Sequence, residues 1–354
     1  MNKTHLKTGI QVVLFAVIGA LILYFMWQGQ GRAYAEECQL SGISDQDCSL
    51  LDKLVSDYRN SKFSWLLVIS VCFIVSQLLR AIRWKLLLRP MGYEISSFNA
   101  IATLLVGYFA NLGAPRIGEF VRAGLLSRYE KIPVEKVFAS IVVERIIDVI
   151  LLAIMLGLGL ILHYDVLWGY LEENLGWTSQ TILIGTIVLG LTGILGILGM
   201  MKIRSLDSSR LPSLLQKVKG LIDSFIDGLL EVRRLPQVGL FIAQSIGIWV
   251  CYYLMHYLCF FAFEPTSHLS AADGLMVFDF GSLGVVFPSP GGMGSYHFMI
   301  KEALEILGVN SVDGFSFAMI SFFTLTIFCT ILLGMISLIL LPIVNGRSQL
   351  PQSS

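Results

Sequence analysis

The chain has 354 residues, of which 55% are apolar and only 14% charged, about half the charged share of an ordinary soluble domain. That composition excludes a string of soluble domains, and long apolar runs from end to end mark an all-α polytopic membrane protein, read as one integral membrane domain over 1–354. Lys and Arg balance Asp and Glu at 25 each, so no net field points to nucleic acid or to an acidic partner.

Lys3 and Lys7 precede the first apolar run, and residues 9–27 read as a retained span. Ala33-Tyr34-Ala35 resembles a cleavage site, but the run before it is longer than the apolar core of a signal peptide. Residues 28–62 hold four basic and six acidic residues and are expected to form an extracytoplasmic loop. Cys38 and Cys48 flank its polar centre, and a disulfide between them fits an oxidising compartment. Cys72, Cys251, Cys259 and Cys329 lie in apolar runs, as packing residues do. No Cys/His spacing resembles a metal site, and no cofactor motif is present.

Further apolar segments follow at 63–79, 97–112, 137–162, 179–201, 238–263, 271–287 and 314–343, with shorter helices expected at 116–128 and 292–308. Basic residues set the topology. Arg80, Arg83, Lys85 and Arg89 follow the second span, 116–136 carries five more, and 202–234 carries seven. The stretches 163–178 and 264–270 carry none. The expectation is a cell-membrane protein with both termini cytoplasmic and the Cys38/Cys48 loop outside.

This bias leaves 97–128 and 271–308 each beginning and ending on one face. They are therefore read as two opposed re-entrant hairpins among about six full spans, with turns at Asn111–Phe120 and Phe287–Tyr296. Both turns run from an apolar helix through a Gly/Pro break into a helix with polar residues at its start. Such a pair is what an inverted repeat gives, and transporters bind substrate where broken helices meet; ordinary loops between short tilted spans are the plainer alternative. Between them, 204–235 has apolar residues such as Leu214, Leu221 and Phe225 at helical spacing and reads as a cytoplasmic amphipathic helix.

Three constellations carry chemistry. Arg116, Glu119 and Arg122 share one broad helix face, and two guanidiniums beside a half-helix N-terminus suit a phosphate; surface charge at the interface is the alternative. Glu144, Arg145 and Asp148 lie inside an apolar run, where ionisable groups require partners. With the first three they form a set of six charges that cancels, serving structural pairing or binding equally. Pro290, Gly291, Gly292 and Gly294 allow close backbone approach and an N–H nest for an anion. Asp279, His297 and Lys301 lie on the arms of that turn; Asp279 and His297 suit a proton relay, with simple local pairing the alternative.

The stretch Gly113–Leu152 resembles the core signature of the lysylphosphatidylglycerol synthetase transmembrane, or flippase-like, family. The shared elements are Arg–x–Gly–Glu–x–x–Arg at Arg116 to Arg122, Glu–Arg–x–x–Asp at Glu144 to Asp148, and Pro–Gly–Gly–x–Gly at Pro290 to Gly294. The basic segment from Arg80 is also similar. The resemblance implies an integral membrane fold that moves phospholipids or isoprenoid-linked lipids between leaflets. The leading reading is a flippase for an anionic, phosphate-bearing lipid: Arg116, Glu119, Arg122 and the Pro290, Gly291, Gly292 and Gly294 turn form the headgroup site, while Glu144, Arg145 and Asp148 hold or gate the headgroup. The family's attached synthase has no counterpart before Ser354, so a transporter rather than an enzyme is expected. The alternatives are a non-catalytic scaffold for lipid or cell-envelope synthesis, partnered by lipid-synthesis enzymes, and an intramembrane lipid-phosphate enzyme. The sequence names neither the lipid, the direction, the energy source nor the oligomeric state.

Overall fold

The computed structural model describes residues 3–41, 48–114, 116–175, 202, 216, 219–220, 235–287 and 289–347. Every regular element among them is helical: α1 (Lys3–Leu40), α2 (Leu50–Asn60), α3 (Phe63–Leu88), α4 (Ser97–Ala110), α5 (Gly118–Glu130), α6 (Val134–Leu162), α7 (Tyr164–Leu175), α8 (Val238–Tyr257), α9 (Ala271–Val286), α10 (Ser295–Ile306), α11 (Ser311–Phe322) and α12 (Leu332–Arg347). A π-helical segment, Phe323–Ile331, fuses α11 to α12. Among the described residues, four stretches are long and apolar enough to cross a membrane: Phe63–Met91, Val134–Leu162, Val238–Phe261 and Ser311–Gly346. The expected span at 179–201 and the amphipathic helix at 204–235 lie outside the described residues, apart from four isolated positions.

The segment 28–62 is not the loop that its polarity suggests. Helix α1 continues without a break through Ala33, Ala35, Glu36 and Glu37 to Leu40, because alanine and glutamate are strong helix formers. Ser49 caps α2 by accepting from the Asp52 amide at 3.3 Å, and Cys38 is bonded to Cys48 between the two helices. Both helices rest on α11. Gln30 donates to Ser311 at 3.0 Å, and Lys53 bridges Asp57 and Asp313 at 2.9 Å each. Burial works against the Lys53 charge, but the two carboxylates outweigh it and hold the ammonium above its ordinary value. A raised lysine stabilises fully below its unfolded value, about pH 10, and loses that only as pH rises through the folded one. The clamp is therefore insensitive to physiological pH.

Two halves of the bundle share one packing pattern. Helix α3 lies lengthwise on α8, and the two run antiparallel. The Lys62 amide at the start of α3 donates to Ala262 just past α8 at 2.9 Å, while Arg83 near the end of α3 donates to Ser245 at 3.1 Å. Helix α4 packs on α12, where Asn99 and Asn345 exchange hydrogen bonds at 3.0 and 2.8 Å. Helix α9 packs on α6 in the matching place, with His163 3.2 Å from Asp273. The contacts of α5 with α6, and of α10 with α11, complete the correspondence. Residues 63–162 and 238–347 thus share one order of helix contacts, with their first helices, α3 and α8, running in opposite directions.

Each half contains a helix pair joined by an irregular turn: α4 and α5 across 111–117, α9 and α10 across 287–294. The turns touch. The Gly291 amide donates to the Asn111 carbonyl at 3.1 Å, and Arg116 Nη2 donates to the Val286 carbonyl at 3.4 Å. Gly291 has φ +59°, and a Cβ there would fall 2.6 Å from Leu112 Cδ2, so a side chain at this crossing would be strained and would displace the Leu112 tip. Helices α4 and α5 approach as closely at Gly118, where a Cβ would strike the Gly107 carbonyl and the Asn111 side chain. Small residues let helices meet where the solvent is itself apolar and hydrophobic driving force is absent. The outer side of α3 carries exposed Leu67, Val68, Val71, Ile74 and Val75, a surface suited to lipid.

Gly118→Ala is expected to destabilise by roughly 1–3 kcal/mol through overpacking. Gly124→Ala, on the same helix with nothing near its missing Cβ, is expected to be neutral or to stabilise by up to about 1 kcal/mol. Thermal unfolding midpoints of the detergent-solubilised variants check the pair, and equal midpoints would remove the close-approach argument.

Candidate functional site

Three helices bring seven charged side chains together inside the apolar bundle. Helix α3 supplies Arg80 and Arg83, which fall on one face by their i, i+3 spacing. Helix α5 supplies Glu119 and Arg122, and α6 supplies Glu144, Arg145 and Asp148. Glu144 is fully buried and accepts from Arg122 Nη2 at 2.7 Å, with Arg83 Nη2 at 3.8 Å. Asp148 receives Arg145 at 2.7 Å and Arg83 at 2.9 Å, and lies 3.9 Å from Arg80. Glu119 is 3.9 Å from Arg145 at the more exposed edge.

Neutral groups hold the guanidiniums in place. Arg80 donates to the hydroxyls of Tyr108 on α4 and Tyr252 on α8, the latter at 2.9 Å. Arg83 reaches Ser245. Arg122 lies 4.9 Å over the Trp84 ring, a cation–π contact, and Trp84 Nε1 donates to Ser140 at 2.8 Å. The orientation is thus fixed from α3, α4, α5, α6 and α8 together.

The charges do not cancel. Four guanidiniums face three carboxylates, which leaves one positive charge over. The neutral set of six expected from the sequence fails in two places. Arg116 stands outside the cluster, exposed and turned to the Val286 carbonyl, with φ +61°. Arg80 and Arg83, which read as cytoplasmic surface charges, lie inside it and are buried. The signal that separates them from surface residues is their i, i+3 repeat beside Trp84, ahead of the true helix end at Arg89-Pro90.

Several polar atoms of the cluster remain unsatisfied. Arg122 Nη1, Arg80 Nε, Arg145 Nε and Glu144 Oε1 are buried without a hydrogen-bond partner. Beside them is a cleft of about 60 Å³ lined by Arg80, Tyr108, Asn111, Glu119, Arg122 and Arg145. A water needs only about 10–15 Å³ by this measure, so the cleft takes several waters or one compact anionic group. Asn111, which sequence reasoning left unassigned, ties this cleft to the turns. Its side chain accepts from the Gly118 amide at 2.7 Å while its carbonyl accepts from Gly291.

The glycine turn plays a different part from an open anion nest. The Gly291 amide is spent on Asn111, the Gly292 amide on Ser289 at 3.2 Å and the Met293 amide on Pro290 at 3.0 Å. Of Pro290, Gly291, Gly292 and Gly294, Gly291 is the residue that meets the first turn, at Asn111 and Leu112. Asp279 and His297 are not brought together. Asp279 lies against Gly159 of α6, whereas the His297 ring packs 4.5 Å from Phe322 among aromatic rings. Lys301 pairs within its own helix, at 2.9 Å to Glu302 and 2.5 Å to Glu305.

Residues 12–332, which include every side chain of the cluster and both turns, match the protein family described as Lysylphosphatidylglycerol synthase TM region. The chain belongs to that family. Within it, the chain is similar to a UPF0104 membrane protein of Methanocaldococcus jannaschii, at 31% identity over 28% of this chain and 30% of the relative. A second relative is the glycosyltransferase AglD of Haloferax volcanii, at 27% identity over 64% of this chain and 41% of that protein. A UPF0104 membrane protein of Methanothermobacter thermautotrophicus is 30% identical over 24% of this chain and 27% of its own length. The matches thus span about two fifths or less of these relatives. No solved structure matches the chain significantly. Family and apolar helices together make this a multi-pass membrane protein.

Glu144→Ala leaves Arg122 and Arg83 buried without their carboxylate and is expected to cost roughly 3–5 kcal/mol. Glu119→Ala, at the exposed edge, is expected to cost about 1 kcal/mol or less. Unfolding of the purified variants measures both. The Arg122→Ala/Glu144→Ala double variant is expected to lose less than the sum of its singles, because they share one interaction.

Proposed function

We propose that this membrane domain binds the anionic headgroup of a lipid in the arginine cleft and carries the lipid between leaflets. The observation that carries the reading is the single surplus guanidinium charge, with Arg122 Nη1 and Arg80 Nε buried and unpartnered beside the cleft. A phosphodiester supplies one negative charge and acceptor oxygens suited to guanidinium. Arg80, Arg122 and Arg145 contact the headgroup in this reading. Glu144 and Asp148 hold those arginines, and Glu119 guards the rim.

The two touching turns support the second half of the proposal. Read with the Lys/Arg bias, they are tips of hairpins entering from opposite faces, with both chain termini cytoplasmic. An irregular backbone at that depth survives where it is packed in protein or lines a wet path. On the outer side of the second turn, an apolar groove of about 680 Å³ runs between α1, α9 and α10, lined by Phe25, Met26, Leu283, Phe287, Phe298 and Met299. It offers the tails an apolar track that ends at the second turn.

One relative is named a glycosyltransferase, which supports a place for this domain beside lipid or glycan processing. The shared region is 41% of that relative, and this supports a second reading in which the domain works beside a transferase and presents its lipid.

Liposomes containing the protein and fluorescent phosphatidylglycerol, or a labelled polyprenyl phosphate, test the proposal. Transbilayer movement is expected to exceed that of protein-free liposomes. Arg145→Ala removes a charge-assisted contact from a partly exposed residue, so it is expected to slow movement by about tenfold or more. Gly124→Ala is expected to leave it unchanged. Movement equal to protein-free controls for each lipid contradicts transport and leaves the presenting role to be assayed with a transferase.

A further inference from the structure

Among the described residues, one buried carboxylate without a partner lies away from the arginine cluster, on the seam between α6 and α9. Asp279 is 4% exposed, and its Oδ1 is buried without a hydrogen-bond partner. Its Oδ2 occupies the place where a Cβ on Gly159 would fall, so the missing side chain of α6 forms a cradle shaped to this carboxyl. Every other buried carboxylate described above has a cation within reach.

Among the described residues, the surroundings supply nothing to neutralise it. From α6, His163 is turned to Asp273 at 3.2 Å, and Asp148 belongs to the arginine cluster. From α8, His256 lies against the Tyr252 carbonyl and the Tyr296 hydroxyl, while Tyr253 donates to the Ala271 carbonyl. From α10, Lys301 is paired with Glu302 and Glu305, and His297 sits among aromatic rings. On α9 itself, Asp273 is engaged with Ser270 and His163. None of these groups is an ionic or hydrogen-bond partner of Asp279.

An ionised carboxylate in such a place costs several kcal/mol. A metal cation would need several oxygen ligands, and no cluster of three metal-ligating side chains occurs among the described residues. A proton needs only the carboxylate itself. Asp273 and His163, at the ends of α9 and α6, lie about 9 Å away along α9, six residues at the helical rise.

We propose that Asp279 is a proton-binding site, and that binding of the proton closes the α6/α9 seam over Gly159. With the proton bound, the neutral carboxyl seats in its cradle. With the proton lost, the charge draws water into the seam and α9 moves off α6. Because α9 ends at Val286, whose carbonyl holds Arg116 of the first turn, this movement acts directly on the contact between the two turns. The proposal stands whether or not the domain moves lipid.

Dicyclohexylcarbodiimide tests it, since this apolar reagent labels protonated carboxyls in apolar surroundings, and no substrate is needed. The wild-type protein in nanodiscs is treated across about pH 5 to pH 9, and the labelled peptides are quantified by mass spectrometry. Labelling of Asp279 is expected at low pH and is expected to fall about tenfold per pH unit beyond its midpoint. It is expected to vanish in Asp279→Asn and to drop about tenfold in Gly159→Ala, whose new methyl displaces the carboxyl from its cradle. No labelling of wild-type Asp279 at any pH, or labelling flat across the range, would overturn the proposal. The wild-type profile decides alone if a variant does not fold.

Discussion

Seven ionisable side chains share one apolar volume, and their charges do not sum to zero. That constraint governs the middle of the molecule. In a bundle surrounded by lipid, a guanidinium is retained only where carboxylates, hydroxyls or aromatic faces receive it. Glu144 and Asp148 each receive more than one arginine, Tyr108 and Tyr252 share Arg80, and Trp84 underlies Arg122. Helices α3, α5 and α6 are held in register by these demands, and among the described residues one positive charge is left over.

The same constraint explains why the cleft lies where the two halves meet. Asn111 ends α4, caps the approach of Gly118 and accepts from Gly291, so one residue joins the cluster, the first turn and the second. Gly291 of the second turn serves this crossing, and the Gly291 and Gly292 amides are already used within the protein. Any displacement of the second turn is felt at Asn111, one wall of the cleft. The proposed headgroup site lies at the contact between the two turns, a place that would suit exposure on alternate sides if the halves shift against each other.

Much of this was legible in the residues. Apolar runs located the helices that bound the site, and the Gly/Pro breaks located both turns to within a few positions. Arg122, Glu144, Arg145 and Asp148 stood out as charges inside apolar helices and do assemble. Arg80 and Arg83 did not, because positive residues at the end of an apolar run are the ordinary mark of a cytoplasmic edge; their i, i+3 repeat beside Trp84 is a faint signal that packing against α6 and α8 makes plain. Arg116 shows the reverse error. It shares a motif with Arg122, yet the turn directs it to the Val286 carbonyl. The role of Asn111 left no trace in the sequence, since a turn asparagine is commonplace and its two acceptors matter only once the halves meet. The helical course of 28–40 and 50–60 was hidden by their polarity, which speaks of water contact and not of backbone conformation.

The central claim is that the surplus guanidinium charge receives an anionic lipid headgroup. The most direct measurement is an electron-microscopy map of the protein in nanodiscs of phosphatidylglycerol, compared with nanodiscs of zwitterionic phosphatidylcholine. The account predicts headgroup density within hydrogen-bonding distance of Arg80, Arg122 and Arg145 in the first and its absence or marked weakening in the second. A cleft closed or filled only by water in both, with the four arginines paired entirely among protein groups, would contradict it.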